Sequence, residues 1–306
     1  MPDKSEASSA GSGRRSAEPG TAGSLPLALR EKLDRFRRAA LESGIPPEDV
    51  ERWLELARRR VKLTTEAQGP PVGRLGGPVM LPPDLHVPAL DGDLPEHLIA
   101  TIDFAALPED VTNLPLPRDG HLLLFAFPDL DGCDGSAVYI PAGTTVQVRH
   151  VEYDYDPGDL QADMDFDNEL QGELHYREDV SLPDHSFIEK QEIALDLAAH
   201  PRAEDLREVW SRIDSMTAEE SGSVPLRIGG YALDNEGFGD PVVDCASNHA
   251  GSPPDRRFKS EDWVLLAEWR PGLEHLWSAI VYWAIKRRDL EARRFDLVSV
   301  HMNANP

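Results

Sequence analysis

The chain has 306 residues, of which 40% are hydrophobic, 23 are Gly and 26 are Pro. That is enough apolar surface for a core and enough proline to favour short elements. The formal charge of −24 is concentrated in residues 70–180, with 4 basic and 22 acidic side chains, against 13 and 11 in residues 1–69 and 14 and 22 in residues 181–306; so negative a surface repels phosphate backbones and excludes nucleic acid as an expected partner.

Residues 1–24, rich in Ser, Gly, Ala and charge, have too little apolar surface to offset the entropy of ordering and read as a disordered tail. The tail has no apolar run for a signal peptide, and Arg14-Arg15 is followed by polar residues. No run of about eighteen apolar residues occurs in the chain, so no membrane span is expected. Two cysteines, Cys133 and Cys245, make no disulfide framework and fit a reducing cytoplasm.

Residues 25–68 read as an N-terminal helical segment. Leu29, Leu33, Phe36 and Ala40 recur at helical spacing and stop at Gly44 and Pro46-Pro47. A second helix is expected from Pro47, with Val50, Trp53, Leu54, Ala57 and Val61 on one face, Glu48 and Asp49 at its start and Arg58-Arg59-Arg60 at its end, in keeping with the helix dipole.

From residue 69 to 306 the texture is that of an α+β domain. Apolar or alternating runs at 97–104, 121–127, 137–140, 144–153, 262–269, 278–285 and 295–302, bounded by Pro, Gly and Asp, predict strands. Residues 184–200 and 203–216 predict helices, the second with Leu206, Val209, Trp210 and Ile213 on one face, and 286–295 predicts a short helix.

One order recurs. Arg-Leu-Gly-Gly at 74–77 precedes the strand run LIATID and then HLLLFAF, and Arg-Ile-Gly-Gly at 227–230 precedes VLLAEW and then AIVYWAI. This predicts two pseudo-repeated sheet lobes in one domain, each fed by a glycine pair with at least one positive φ. The runs ELARRRVKL, GRLGGPVMLPPD, LIATIDFAALPE and LPRDGHLLLFAF, with LRIGGYA, WVLLAEW and LWSAIVYWAIKRRDLEARRFDLVSVHMNA, resemble the two halves of the YwqG-like family of bacterial proteins over residues 50–304. The resemblance implies a duplicated α+β fold and no reaction. Thr101 and Glu268 stand where that family carries glutamine, which implies that any pocket these positions share is altered here.

No complete catalytic or cofactor motif is present, and neither cofactor nor metal is expected. Asp163, Asp165 and Asp167 match the start of a calcium loop, but Asn168 replaces its Gly and Leu174 its closing Glu. Their alternation with Met164 and Phe166 also suits an edge strand. The expected partner surface is this acidic stretch, 152–179, with Asp154, Asp156, Asp163, Asp165 and Asp167 facing a basic protein. The expected role is accordingly a non-catalytic binding protein of a regulatory or toxin-neutralising kind. Its rival is a hydrolase or small-ligand enzyme in a cleft between the lobes, using Asp103 and Glu268, read as occupying matching places, or Cys245, which lies close to Asn248 and His249. Asp131 and Asp134 beside Cys133 are expected to blunt its thiol.

Overall fold

Leu29, Phe36 and Ala40 are buried on one stripe of helix α1 (Leu27–Glu42), and Lys32 is buried on the same stripe. The computed structural model describes residues 25–66, 69–90, 94–129, 132–153, 170–184, 199–219, 225–233, 239–250, 262–273, 276 and 278–304. The expected tail, and all but the ends of the helix expected over 184–200, lie outside them. Helix α2 (Pro47–Leu54) starts with Pro in its first turn and ends six residues before Arg60.

The chain then becomes strand β1 (Arg58–Thr64), in place of the helix expected to run to Val61. The governing period there is two. Val61 and Leu63 enter the main core, while Arg60, Lys62 and Thr64 are buried on the other face. Arg58–Arg60 therefore do not close a helix dipole; they open a strand.

The remaining strands are β2 (Gly73–Leu75), β3 (Val79–Leu81), β4 (Ala89–Leu90), β5 (Leu94–Pro95), β6 (His97–Asp103), β7 (His121–Asp129), β8 (Gly132–Ile140), β9 (Gln147–Arg149), β10 (Gly172–Ser181), β11 (Leu226–Gly229), β12 (Trp263–Trp269), β13 (Ile280–Lys286) and β14 (Ser299–Asn303). Helices α3 (Ala203–Glu219), α4 (Pro241–Ala250) and α5 (Arg287–Glu291) complete the elements that position the site. Ten strands form one antiparallel sheet in the order β14-β13-β12-β11-β1-β10-β2-β6-β7-β8.

One continuous ten-stranded sheet stands where two lobes were expected. Its end strands β8 and β14 pack together, and Trp283 Nε1 on β13 donates to the carbonyls of Phe125 (3.1 Å) and Ser136 (3.2 Å) on β7 and β8. The sheet is curled into a nearly closed barrel. Its single main core draws Ile99, Ile102, Leu122 and Leu124 from one flank and Ile228, Leu266, Trp269 and Trp283 from the other. The coarse class is α+β, mostly sheet, with a few helices outside. Helices α1, α2 and α3 cover the sheet near the end of β10, through Phe36, Trp53, Val180, Leu206, Val209 and Trp210. Helix α4 covers β12 and β13 with Val242, Cys245 and Ala246 against Trp263, Leu265 and Tyr282.

Between the helical layer and the central strands lies a buried charge network. Lys32 Nζ on α1 donates to Asp179 (2.7 Å) on β10 and Asp214 (2.6 Å) on α3. Arg60 on β1 donates from Nε to Asp179 (2.7 Å) and from Nη2 to both oxygens of Asp214 (2.7 and 2.8 Å). Lys62 Nζ lies 3.1 Å from Asp179. Burial opposes ionisation of both carboxylates, but Arg60 and Lys32 outweigh it and hold both pKa values well below the ordinary range. Burial brings the Lys62 ammonium down to about 8, against the attraction of Asp179.

All four glycines of the repeated pair adopt left-handed φ: Gly76 (52°), Gly77 (87°), Gly229 (71°) and Gly230 (80°). A Cβ on Gly230 would lie 2.6 Å from Ser181 Oγ and 2.9 Å from Arg60 Cβ. Gly230→Val is expected to destabilise the protein by about 1–3 kcal/mol from backbone strain alone, read as a lowered urea midpoint; an unchanged midpoint would refute the requirement for glycine.

Replacing Asp214 by Asn leaves Arg60 and Lys32 short of a buried counter-charge and is expected to cost about 3–5 kcal/mol at neutral pH. Below about pH 4 the unfolded chain binds more protons at these carboxylates than the folded one, so their contribution is complete above that pH and is lost as pH falls. The stability gap between wild type and Asp214→Asn should therefore narrow between neutral pH and about pH 3. Urea melts of both proteins at the two pH values check this, and a pH-independent gap would contradict it.

Candidate functional site

The three candidate catalytic residues do not form one site. Asp103 ends β6, where its Oδ1 accepts the Ala105 N–H (2.9 Å) and caps the short 3-10 turn Phe104–Ala106. Glu268, on the other flank, is 1% exposed. Its Oε1 accepts from Arg227 Nη1 (2.7 Å) and its Oε2 from the Leu233 N–H (2.9 Å). Both oxygens are thereby engaged in holding β11, β12 and the loop after β11 together.

Cys245 is fully buried in α4, its Sγ 3.6 Å from the Tyr282 carbonyl. Burial foremost, then Asp244 and Asp240, push its thiol well above the ordinary pKa. Asn248 contacts His301 (3.3 Å) and the His249 ring packs edge-on against Trp263. The neighbours that suggested thiol chemistry in the sequence are thus turned to other partners. Cys133 is also blunted, by burial first and Asp134 second.

Register also corrects the pairing of Asp103 with Glu268. Arg227 of β11 faces Glu268 of β12, and Arg74 of β2 faces Thr101 of β6. The bulges agree: β6 is irregular between Leu98 and Ala100 against β7, and β12 between Leu265 and Ala267 against β13. Thr101, one residue after Ala100, matches Glu268, one after Ala267. Asp103 lies two residues farther on.

The expected partner-binding acids Asp154, Asp156, Asp163, Asp165 and Asp167 lie outside the described residues. The end of the same acidic stretch is described, and it forms β10, inside the sheet between β1 and β2. Leu174, which fails to close the calcium loop, is a fully buried core residue. Asp179 belongs to the buried network, and Glu178 pairs with Arg59 (3.0 Å).

Where this stretch enters β10, an open recess of about 490 Å³ lies on the sheet, lined by Arg74, Thr101, Asp103, His121, Gln171 and Glu173 together with Pro71, Gly73 and Gly172. Glu173 faces Arg74 across β10–β2, and Asp103 faces His121 across β6–β7. Antiparallel pairing puts these side chains on one face at close spacing. The arrangement presents one guanidinium, one imidazole and two carboxylates to solvent, a set suited to a polar, charged ligand.

Among the described residues no three His, Cys, Asp or Glu side chains converge as metal ligands. Of the recess, the sequence singled out Asp103 for chemistry and Thr101 as a departure from a family pattern. Arg74 was visible in the repeated Arg-x-Gly-Gly, but nothing short of strand register joins it to Glu173 and Thr101.

The model of the family DUF1963, a domain of unknown function, matches residues 73–303, and the chain belongs to that family. Comparison with curated proteins finds no match. The match begins at β2, so β1 and the helices α1 and α2 precede it, although β1 sits at the centre of the sheet.

A buried, proton-retaining thiol should be inert. Iodoacetamide at about pH 8, near the ordinary thiol pKa, should leave Cys245 unmodified in the native protein and alkylate it fully in urea, as read by peptide mass spectrometry. Rapid native labelling would reinstate it as a nucleophile.

Proposed function

We propose that this member of the DUF1963 family is a non-catalytic binding protein whose acidic face takes a basic partner protein. The observation that carries this reading is the continuity of the open recess with the acidic stretch. Glu173 lies in the recess wall with Asp103, and the chain leads into it from the segment holding Asp154, Asp156, Asp163, Asp165 and Asp167. Glu268 and Cys245, by contrast, are engaged in packing and ion pairing. A charge of −18 over residues 70–180 favours cationic partners and disfavours nucleic acid.

The matched registers, bulges and glycine pairs of the two flanks support an internal duplication of the kind the YwqG-like resemblance implies. Two free thiols suit a reducing, cytoplasmic setting, and a regulatory or toxin-neutralising role follows from charge-driven capture of a basic protein. A small-ligand enzyme is the second reading, favoured by Asp103 facing His121 within the recess, a pair able to move a proton.

The test is a stopped-flow series with a Lys-rich synthetic peptide against salt. Association should slow by about tenfold or more as exposed charges are screened over about 8 Å at physiological ionic strength. Changing Asp163, Asp165 and Asp167 together to Asn should slow association more than it speeds dissociation. Salt-independent association would sink the reading, and turnover of a small substrate abolished by Asp103→Asn would put the second one ahead.

A further inference from the structure

The two flanks treat the same arginine differently. On one, Arg227 holds the carboxylate of Glu268 at 2.7 Å, and the Leu233 N–H takes that carboxylate's other oxygen. On the other, Thr101 faces Arg74 in the matching register, and a threonine supplies neither the charge nor the reach of a carboxylate. Arg74 makes no hydrogen bond or ion pair among the described residues, and it borders the recess rather than a packed loop.

Its guanidinium lies beside Gly77. The Arg74 Cζ occupies the place a side chain on Gly77 would need, 2.3 Å from an ideal Cβ there. The missing Cβ at Gly77 leaves room for the guanidinium, whose fork suits a planar, bidentate acceptor. A carboxylate is the group that the other flank places at this position.

A simple anion does not suit the recess, because Glu173 and Asp103 line it as well. Asp103 lies two residues from Thr101 on β6, roughly 7 Å at strand rise, and Glu173 faces Arg74 from β10, so acids border Arg74 on both neighbouring strands. We infer that the recess binds the C-terminal residue of a partner polypeptide when that residue is basic, with the free α-carboxylate on Arg74 and the cationic side chain between Asp103 and Glu173. This deepens the basic-partner reading and rests on it. The carboxylate supplies a fixed orientation that attraction to an acidic face alone lacks.

The experiment titrates the full chain with a fluorescent peptide ending in Ser-Lys-Arg as the free acid, with the same peptide as its C-terminal amide, and with free arginine. The acid should bind at least about tenfold tighter than the amide, the effect expected of one charge-assisted bidentate pair. Arg74→Ala should reduce the acid to the affinity of the amide, and Arg74→Lys should restore part of the difference. Thr101→Glu, which supplies an internal carboxylate as Glu268 does, should also erase the preference for the acid while leaving the melting temperature unchanged or raised. Equal binding of acid and amide to wild type would overturn the proposal and leave the acidic-face reading standing. Failure of both peptides to bind at low salt would overturn both. Free arginine binding as tightly as the peptide would overturn the polypeptide terminus in favour of the residue alone.

Discussion

Arg60 is the residue on which the architecture turns. It is buried at the middle of the sheet and held by Asp179 of the neighbouring strand and Asp214 of a helix. Such pairs return little net energy, because taking the ions out of water offsets most of their attraction. Their effect is on uniqueness. Slipping β1 by one residue against β10 would turn Arg60 and Lys62 into the barrel interior and Val61 and Leu63 toward the carboxylates. Both errors are prohibitive, so register at the joint between the two flanks is set by charge on one face and by oil on the other. Lys32 extends the same constraint to α1, whose apolar stripe would otherwise dock on the sheet without a fixed rotation.

From that joint the two flanks of the sheet run outward and differ in how they are covered. Over β11, β12 and β13 the outer face is closed by the loop after β11 and by α4, and its arginine is neutralised from within. Over β2 and β6 the corresponding arginine faces solvent. One threonine-for-glutamate difference at these registers accompanies a buried ion pair on one flank and an exposed arginine on the other.

The helices α1 and α3 and the strands β6, β7, β12 and β13 are legible in the sequence, because the helices have an apolar stripe at helical spacing and the strands are short, near-continuous apolar runs. The glycine pairs are legible because a left-handed turn leaves few other choices. Strand β1 is not, since three consecutive arginines on the end of a helical pattern look solvated; the burial of Arg60 depends on Asp179 and Asp214, more than a hundred residues away. Strand β10 is hidden for the same reason, its acids reading as surface while one of them is a core counter-ion. Asp103 and Glu268 look equivalent when aligned by residue type, yet in the sheet Glu268 faces Arg227 while Thr101, not Asp103, faces Arg74. Side-chain chemistry was readable, and the pairing that gives it meaning was not.

The central placement of β1 has a consequence for how the molecule is made. This strand is synthesised before every other strand of the sheet, yet its two neighbours are β10 and β11, and its arginine partner on α3 is 154 residues downstream. At about 5–20 residues per second of elongation, Arg60 waits roughly 8–30 s for Asp214. During that interval β1 has two unpaired edges and an apolar face with nothing to cover it. The charges on its opposite face keep the waiting segment hydrated and repel like copies on neighbouring nascent chains, the service that gatekeeper residues render beside aggregation-prone strands. The cations that lock the finished sheet thus also guard its earliest strand.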